Sequence, residues 1–302
     1  MKHNVKITLV LLSMFILTQI IGIYVSGYYL NEENTLPLGL EPPKPETESD
    51  YYGFFTSIII AFIVAVLLFL LLIKFKIEFV LKFWFFVVVV MALSISFVSF
   101  LSPLMKYALI LSVIVSVALA VWKIYGKNFF VHNFTELLIY PGIASVFVPI
   151  LNVYTIVALL LIISIYDMWA VWHSGIMQKM AKYQINKLNI FSGFFIPYFS
   201  KGLHAKIKKW KATLKKSELK KKKVKVNVAM LGGGDVVFPI IASGVMLKTL
   251  GLYSSVFVIA GATLGLAYLF LKSEKKKFYP AMPFITAGIL VGILVSYFLV
   301  WM

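Results

Sequence analysis

The chain has no cysteine, and arginine is also missing from its 302 residues. Without cysteine there is no disulfide, no thiol nucleophile and no cysteine-ligated metal. Acidic residues are scarce, 12 against 29 basic ones, for a formal net charge of +17. A basic excess invites a nucleic-acid reading. The distribution excludes it, because 15 of the lysines crowd into 174–226 and no nucleic-acid-binding motif accompanies them. A loop lying against anionic lipid is the simpler partner. The histidines His3, His132, His173 and His204 are scattered, with no His-Glu-x-x-His pattern for a zinc protease. Ser243-Gly244 lacks a glycine at 241 and a histidine at matching depth, so an activated serine is not indicated either. No metal or cofactor is expected.

What is abundant is apolar: 61% of residues are hydrophobic and the mean hydropathy is +0.93. The excess comes in blocks of about twenty residues, the length of a bilayer-spanning helix. Nine segments read this way, at 5–27, 53–73, 83–102, 107–122, 129–150, 153–173, 227–249, 252–271 and 280–301. The fold class is an all-α polytopic membrane protein. A single membrane domain covers 1–302, with helices one to six in 1–173, a basic loop at 174–226 and helices seven to nine in 227–302. The first segment is longer than a signal-peptide core, and Ser26-Gly27-Tyr28-Tyr29 offers no small-x-small cleavage site, so it is read as a retained helix.

Lysine placement orients the bundle. With the N-terminus cytoplasmic, 26 lysines fall inside and only Lys44, Lys106 and Lys248 outside. A wrong span count would scramble that asymmetry. The outer loop 28–52 carries six acidic residues and four prolines and reads as extended or partly disordered. Within the inner loop, 188–199 is aromatic but too short to span, which suits an interfacial or re-entrant segment. The stretch 201–225 reads as a solvated, lipid-contacting tether.

Three acidic residues lie within apolar segments: Glu136, Asp167 and Asp235. An ionisable residue there costs roughly 2.5–3.5 kcal/mol on insertion scales and marks function by default. Asp167 lies six residues before the inner end of segment six and Asp235 eight residues into segment seven. At 1.5 Å per residue these are depths of about 9 and 12 Å. The two carboxylates are therefore expected face to face on consecutive helices. In low dielectric such a pair cannot both ionise, and a pair sharing one proton can activate water against a peptide carbonyl. Asp235 follows Gly232, Gly233 and Gly234, which permit close approach of another backbone. Pro239 removes the helical donor to the Asp235 carbonyl, favouring a wet pocket. Ser164 shares the helix face of Asp167 and is expected to hold water there.

These residues resemble the presenilin and signal peptide peptidase family of intramembrane aspartyl proteases. The family's Tyr-Asp motif in helix six looks like Tyr166-Asp167, and its Gly-x-Gly-Asp motif in helix seven looks like Gly232-Gly233-Gly234-Asp235. Its Pro-Ala-Leu motif at helix nine is matched by Pro280-Ala281-Met282, methionine replacing leucine at similar volume. The resemblance implies a nine-helix presenilin-like bundle with a cytoplasmic N-terminus. It implies an aspartic endopeptidase with Asp167 and Asp235 catalytic and 280–282 binding substrate. The substrates implied are single-pass transmembrane proteins or signal peptides, unwound and paired as a strand. A homo-oligomer is compatible with it, and the lysine-rich, arginine-free composition looks like that of a microbial, archaeal cell membrane.

Other readings compete. The same carboxylates would serve a proton- or cation-coupled transporter, although no inverted repeat is evident, and a non-catalytic binder of membrane helices would share the architecture. Glu136 is read as lying near the outer side of segment five, as an interfacial or helix-bundling residue able to line a cavity. Gly261-x-x-x-Gly265 and Gly288-x-x-x-Gly292 read as close helix packing. Trp169 and Trp172 read as an aromatic belt.

Overall fold

Apolar segments of this length form helices because a bilayer leaves no other partner for their backbone groups. The computed structural model describes residues 5–75, 77–126, 128–174, 192–198, 227–274 and 279–300. Among them are nine α-helices: α1 (Val5–Leu30), α2 (Glu48–Lys74), α3 (Glu78–Leu101), α4 (Ala108–Tyr125), α5 (Phe129–Phe147), α6 (Val153–Trp169), α7 (Gly234–Leu250), α8 (Leu252–Lys272) and α9 (Met282–Val300). A π-helical turn, Ala170–Ser174, prolongs α6. Seven helical stretches are long and apolar enough to cross a membrane; α5 and α7 are the two outside that set. Both carry ionisable side chains, His132 and Glu136 on α5, Asp235 and Lys248 on α7.

Burial follows that division. Along α7 every residue from Pro239 to Met246 is buried, because α1, α5, α6, α8 and α9 all pack against it. The opposite extreme is α2, whose most apolar window has no buried residue and which packs mainly against α3 and α6. Helices α8 and α9 meet backbone to backbone at the glycine positions read as close packing: a methyl on Gly261 would overlap the Gly288 carbonyl, and one on Gly265 the Phe284 carbonyl.

The break between segments five and six is built with care. Asn152 accepts the Thr155 N–H at 2.9 Å while its own N–H donates to the Thr155 hydroxyl at 2.9 Å, a reciprocal N-terminal cap. Before it, Lys248 of α7 donates to the carbonyls of Val148, Pro149 and Leu151 at 3.3, 3.1 and 2.7 Å. One ammonium thus supplies the donors that the end of α5 lacks.

Three expectations need correction. The outer loop is more ordered than its composition suggested: Leu36 is buried against Val25, Tyr29, Ile95 and Val98, and the Tyr29 hydroxyl donates to the Ile95 carbonyl at 2.7 Å. Its end, with Glu48 and Asp50, belongs to the first turn of α2, where acidic groups complement the helix dipole. The second point is that the described part of 188–199, read as an interfacial or re-entrant segment, is a strand, β1 (Gly193–Tyr198). The third follows from it: the first residues of segment seven form its partner, β2 (Asn227–Gly232), and helix begins only at Gly234. The strands pair antiparallel, Gly193 opposite Gly232 and Tyr198 opposite Asn227. Period-two burial explains the choice, with Ala229 and Leu231 buried and Val228 and Met230 exposed. The lysine-rich 201–225 lies outside the described residues.

Candidate active site

The regular helix of α6 stops just after Asp167. The Ala170 N–H donates to the carbonyls of both Tyr166 and Asp167, opening the π turn. Such turns re-aim side chains at functional sites. Asp167 itself is buried, 5% exposed. Its Oδ2 accepts the Met282 N–H at 3.1 Å, and the Ala281 N–H faces the same carboxylate. Segment 280–282 is therefore fastened to Asp167 through the backbone, and Pro280, Ala281 and Met282 are all buried. Tyr166 points away from this contact, its ring edge-on to Phe62 of α2 at 5.6 Å between centroids. The Ser164 hydroxyl donates to the Leu160 carbonyl at 2.7 Å and meets the Thr286 hydroxyl of α9 at 2.8 Å, tying α6 to α9.

Asp235 is the second residue of α7, not eight residues inside it. Helix α7 starts later than the apolar run suggested, so Asp235 stands in its first turn. Asp235 is half-buried and within electrostatic reach of Asp167. The Gly232 N–H faces its carboxylate. A methyl on Gly233 would come within 2.8 Å of the Tyr140 hydroxyl and 2.9 Å of the Ser192 hydroxyl, so the loop passes where only glycine fits. Pro239 leaves the Asp235 carbonyl without its helical donor. One residue along, buried Gln19 of α1 donates to the Val236 carbonyl at 3.1 Å, a contact between distant segments that no local pattern announces. A cavity of about 110 Å³ beside Asp235 is lined by Met230, Leu231, Ser273, Tyr279 and Ala281 among others.

Glu136 is not near the outer side. Its oxygen accepts from the Lys123 ammonium at 2.6 Å, and both side chains are almost wholly buried. One helical turn back, His132 reaches the Gly193 carbonyl of β1, so this group stands at the level of the strand pair. Tyr140, a further turn along α5, turns its hydroxyl toward Gly233 and lies within electrostatic reach of Glu136 and Asp235. The sequence offered one signal for this group, a buried-length segment holding Lys123, His132 and Glu136 at helical spacing across a short turn.

Residues 12–301 match the family described as signal-peptide peptidase, presenilin aspartyl protease. A solved presenilin family intramembrane aspartate protease, in a C222 crystal form, superposes with a TM-score of 0.62 at 19% identity, covering 97% of this chain and 99% of that one. A P2 form gives 0.59 at 20% identity, covering 96% of each. No curated protein matches the sequence.

Proposed function

The chain belongs to the signal-peptide peptidase and presenilin aspartyl protease family, and from that premise we propose that Asp167 and Asp235 are its catalytic pair. It is an integral membrane protein, an intramembrane aspartyl protease acting on transmembrane helices in the bilayer. The observation that supports the pairing is that Asp235 lies within electrostatic reach of Asp167, with segment 280–282 hydrogen-bonded to Asp167.

The chemistry follows from one shared proton. The ionised carboxylate takes a proton from water as its oxygen adds to the scissile carbonyl carbon, while the protonated carboxylate donates to the carbonyl oxygen. The tetrahedral adduct then collapses: the C–N bond breaks, a proton reaches the leaving nitrogen, and the pair returns to a single-proton state. A helical peptide hides its carbonyls in its own hydrogen bonds, so the substrate must first unwind. The edge of β2 beside Asp235, which pairs with no other strand among the described residues, is the natural place for the freed strand. Tyr166, through its ring contact with Phe62, and the glycines 232, 233 and 234 support the two aspartates; 280–282 bounds the substrate.

The same reading has nine spans, the N-terminus and the 174–226 loop cytoplasmic, in one membrane domain. If α5 and α7 did not cross, the 15 lysines of 174–226 would move outside, against the positive-inside rule.

Purified protein reconstituted with a labelled single-span substrate tests the pair. Wild type is expected to cleave, and Asp167→Ala and Asp235→Ala each to lose cleavage by at least about a thousandfold while keeping their helical content. Cleavage that survives either change would refute the pairing, and ion flux without cleavage would favour a transporter.

A further inference from the structure

Strand β1 has two edges, and β2 occupies only one. On the other, Asn133 of α5 donates its side-chain amide to the Phe195 carbonyl at 2.9 Å and accepts the Phe195 N–H at 3.1 Å. That is the two-point contact a neighbouring strand would make, so the backbone groups of Phe195 face away from β2. By alternation Gly193 and Pro197 face the same way. The Gly193 carbonyl is met by His132 Nε2 at 2.8 Å, and Pro197 has no N–H to offer. Two adjacent residues of α5 and one proline therefore occupy the outer edge of β1.

His132 is itself fixed. The Lys123 ammonium lies 3.2 Å from its Nδ1 and 2.6 Å from Glu136. An ammonium can only donate, so Nδ1 is the acceptor and the ring proton sits on Nε2, the atom that faces Gly193. With Lys123 and Glu136 exposed by only 2% and 1%, the ion pair has little freedom to swing away.

The register carries the argument to the other strand. Phe195 lies opposite Met230, Pro197 opposite Val228 and Gly193 opposite Gly232, so these three residues of β2 turn their backbone groups to its other edge, where the Gly232 N–H faces the Asp235 carboxylate and no further strand pairs among the described residues. That edge borders the cavity between Met230, Asp235, Tyr279 and Ala281. A chain added to β1 instead would lie three strand spacings away, about 14 Å, beyond the reach of Asp235.

We propose that Asn133, backed by the His132, Glu136 and Lys123 group, is a positioning residue that closes the outer edge of β1 and so directs an unwound substrate to the edge of β2. The proposal rests on the reading of Asp167 and Asp235 as the catalytic pair. It is tested with full-length protein in proteoliposomes, a labelled single-span substrate, products mapped by mass spectrometry, and hydrogen exchange at the Phe195 amide. Asn133→Ala is expected to speed that exchange and to lower kcat and KM together, roughly fivefold to tenfold, as for one or two lost hydrogen bonds, because substrate held on the opened β1 edge is bound but not cut, while the cut sites stay unchanged. Asn133→Asp keeps the acceptor for the Phe195 N–H and loses the donor, so it should fall between the two, and it serves if the alanine variant does not fold. Faster exchange with wild-type kcat and KM would overturn the proposal, as would wild-type behaviour of a folded Asn133→Asp. Asp167→Ala and Asp235→Ala run beside them: cleavage in either defeats the catalytic pair, whereas a silent Asn133 change defeats only the edge closure.

Discussion

Gly233 and Gly234 stand side by side before Asp235, and they are glycine for different reasons. A side chain at 233 would run into Tyr140 and Ser192 at 2.8–2.9 Å, whereas one at 234 would find only Phe238, at 3.7 and 4.0 Å. Gly233→Ala is therefore expected to strain the loop by about 1–3 kcal/mol, the usual cost of overpacking, lowering thermal stability and activity together. Gly234 is exposed beside Asp235, and alanine gains up to about 1 kcal/mol of helix propensity over glycine. Gly234→Ala should leave the melting temperature unchanged or raised while lowering kcat/KM, because the methyl enters the space left for substrate. Melting curves and kinetics on the two variants separate the cases; a stabilised Gly233→Ala would contradict the crowding. At this scale the two aspartates were legible because an acid in an apolar run has few innocent explanations. Asn133 and Tyr140 were not, since a neutral polar side chain in a helix has many, and only the partner strand reveals which applies.

Among the elements, α9 does the most indirect work: it is pressed against α8 through glycine and carries Met282 to Asp167. A methyl on Gly288 would overlap the Gly261 carbonyl. Because that neighbour is backbone, relief requires the helices to part, at a cost of about 1–3 kcal/mol. Gly288→Ala should lower the melting temperature and also reduce cleavage, since the displacement passes along α9 to the Met282 contact. Ala287→Leu, next along the helix but exposed, should do neither; equal effects of the two would show that the seam does not position the site. Helix spacing of glycine made this seam readable beforehand. The strand pair was not readable, because 188–199 and 227–232 are short apolar runs whose state is settled by pairing across a long sequence gap. The same ambiguity moved the start of α7 and with it the depth assigned to Asp235.

For the whole molecule, charge asymmetry and helix length give different weights to α5 and α7. By length and hydropathy alone, seven helical stretches qualify as spans. The two others are polar because they are wrapped in protein, where a carboxylate or an ammonium finds partners that lipid would not provide. Lysine counting needs both of them to cross: without α5, Lys127 and Lys225 would lie on opposite faces of the membrane, and without α7, Lys225 and Lys277 would. The absence of native cysteine makes this directly measurable by single substitutions and a membrane-impermeant maleimide. Lys44→Cys should label in intact cells, while Lys82→Cys, Lys127→Cys and Lys225→Cys should label only once the inner face is exposed. If Lys127→Cys and Lys225→Cys reacted from opposite sides, α5 would fail to span, and if Lys225→Cys and Lys277→Cys did so, α7 would fail; either result would end the nine-span topology.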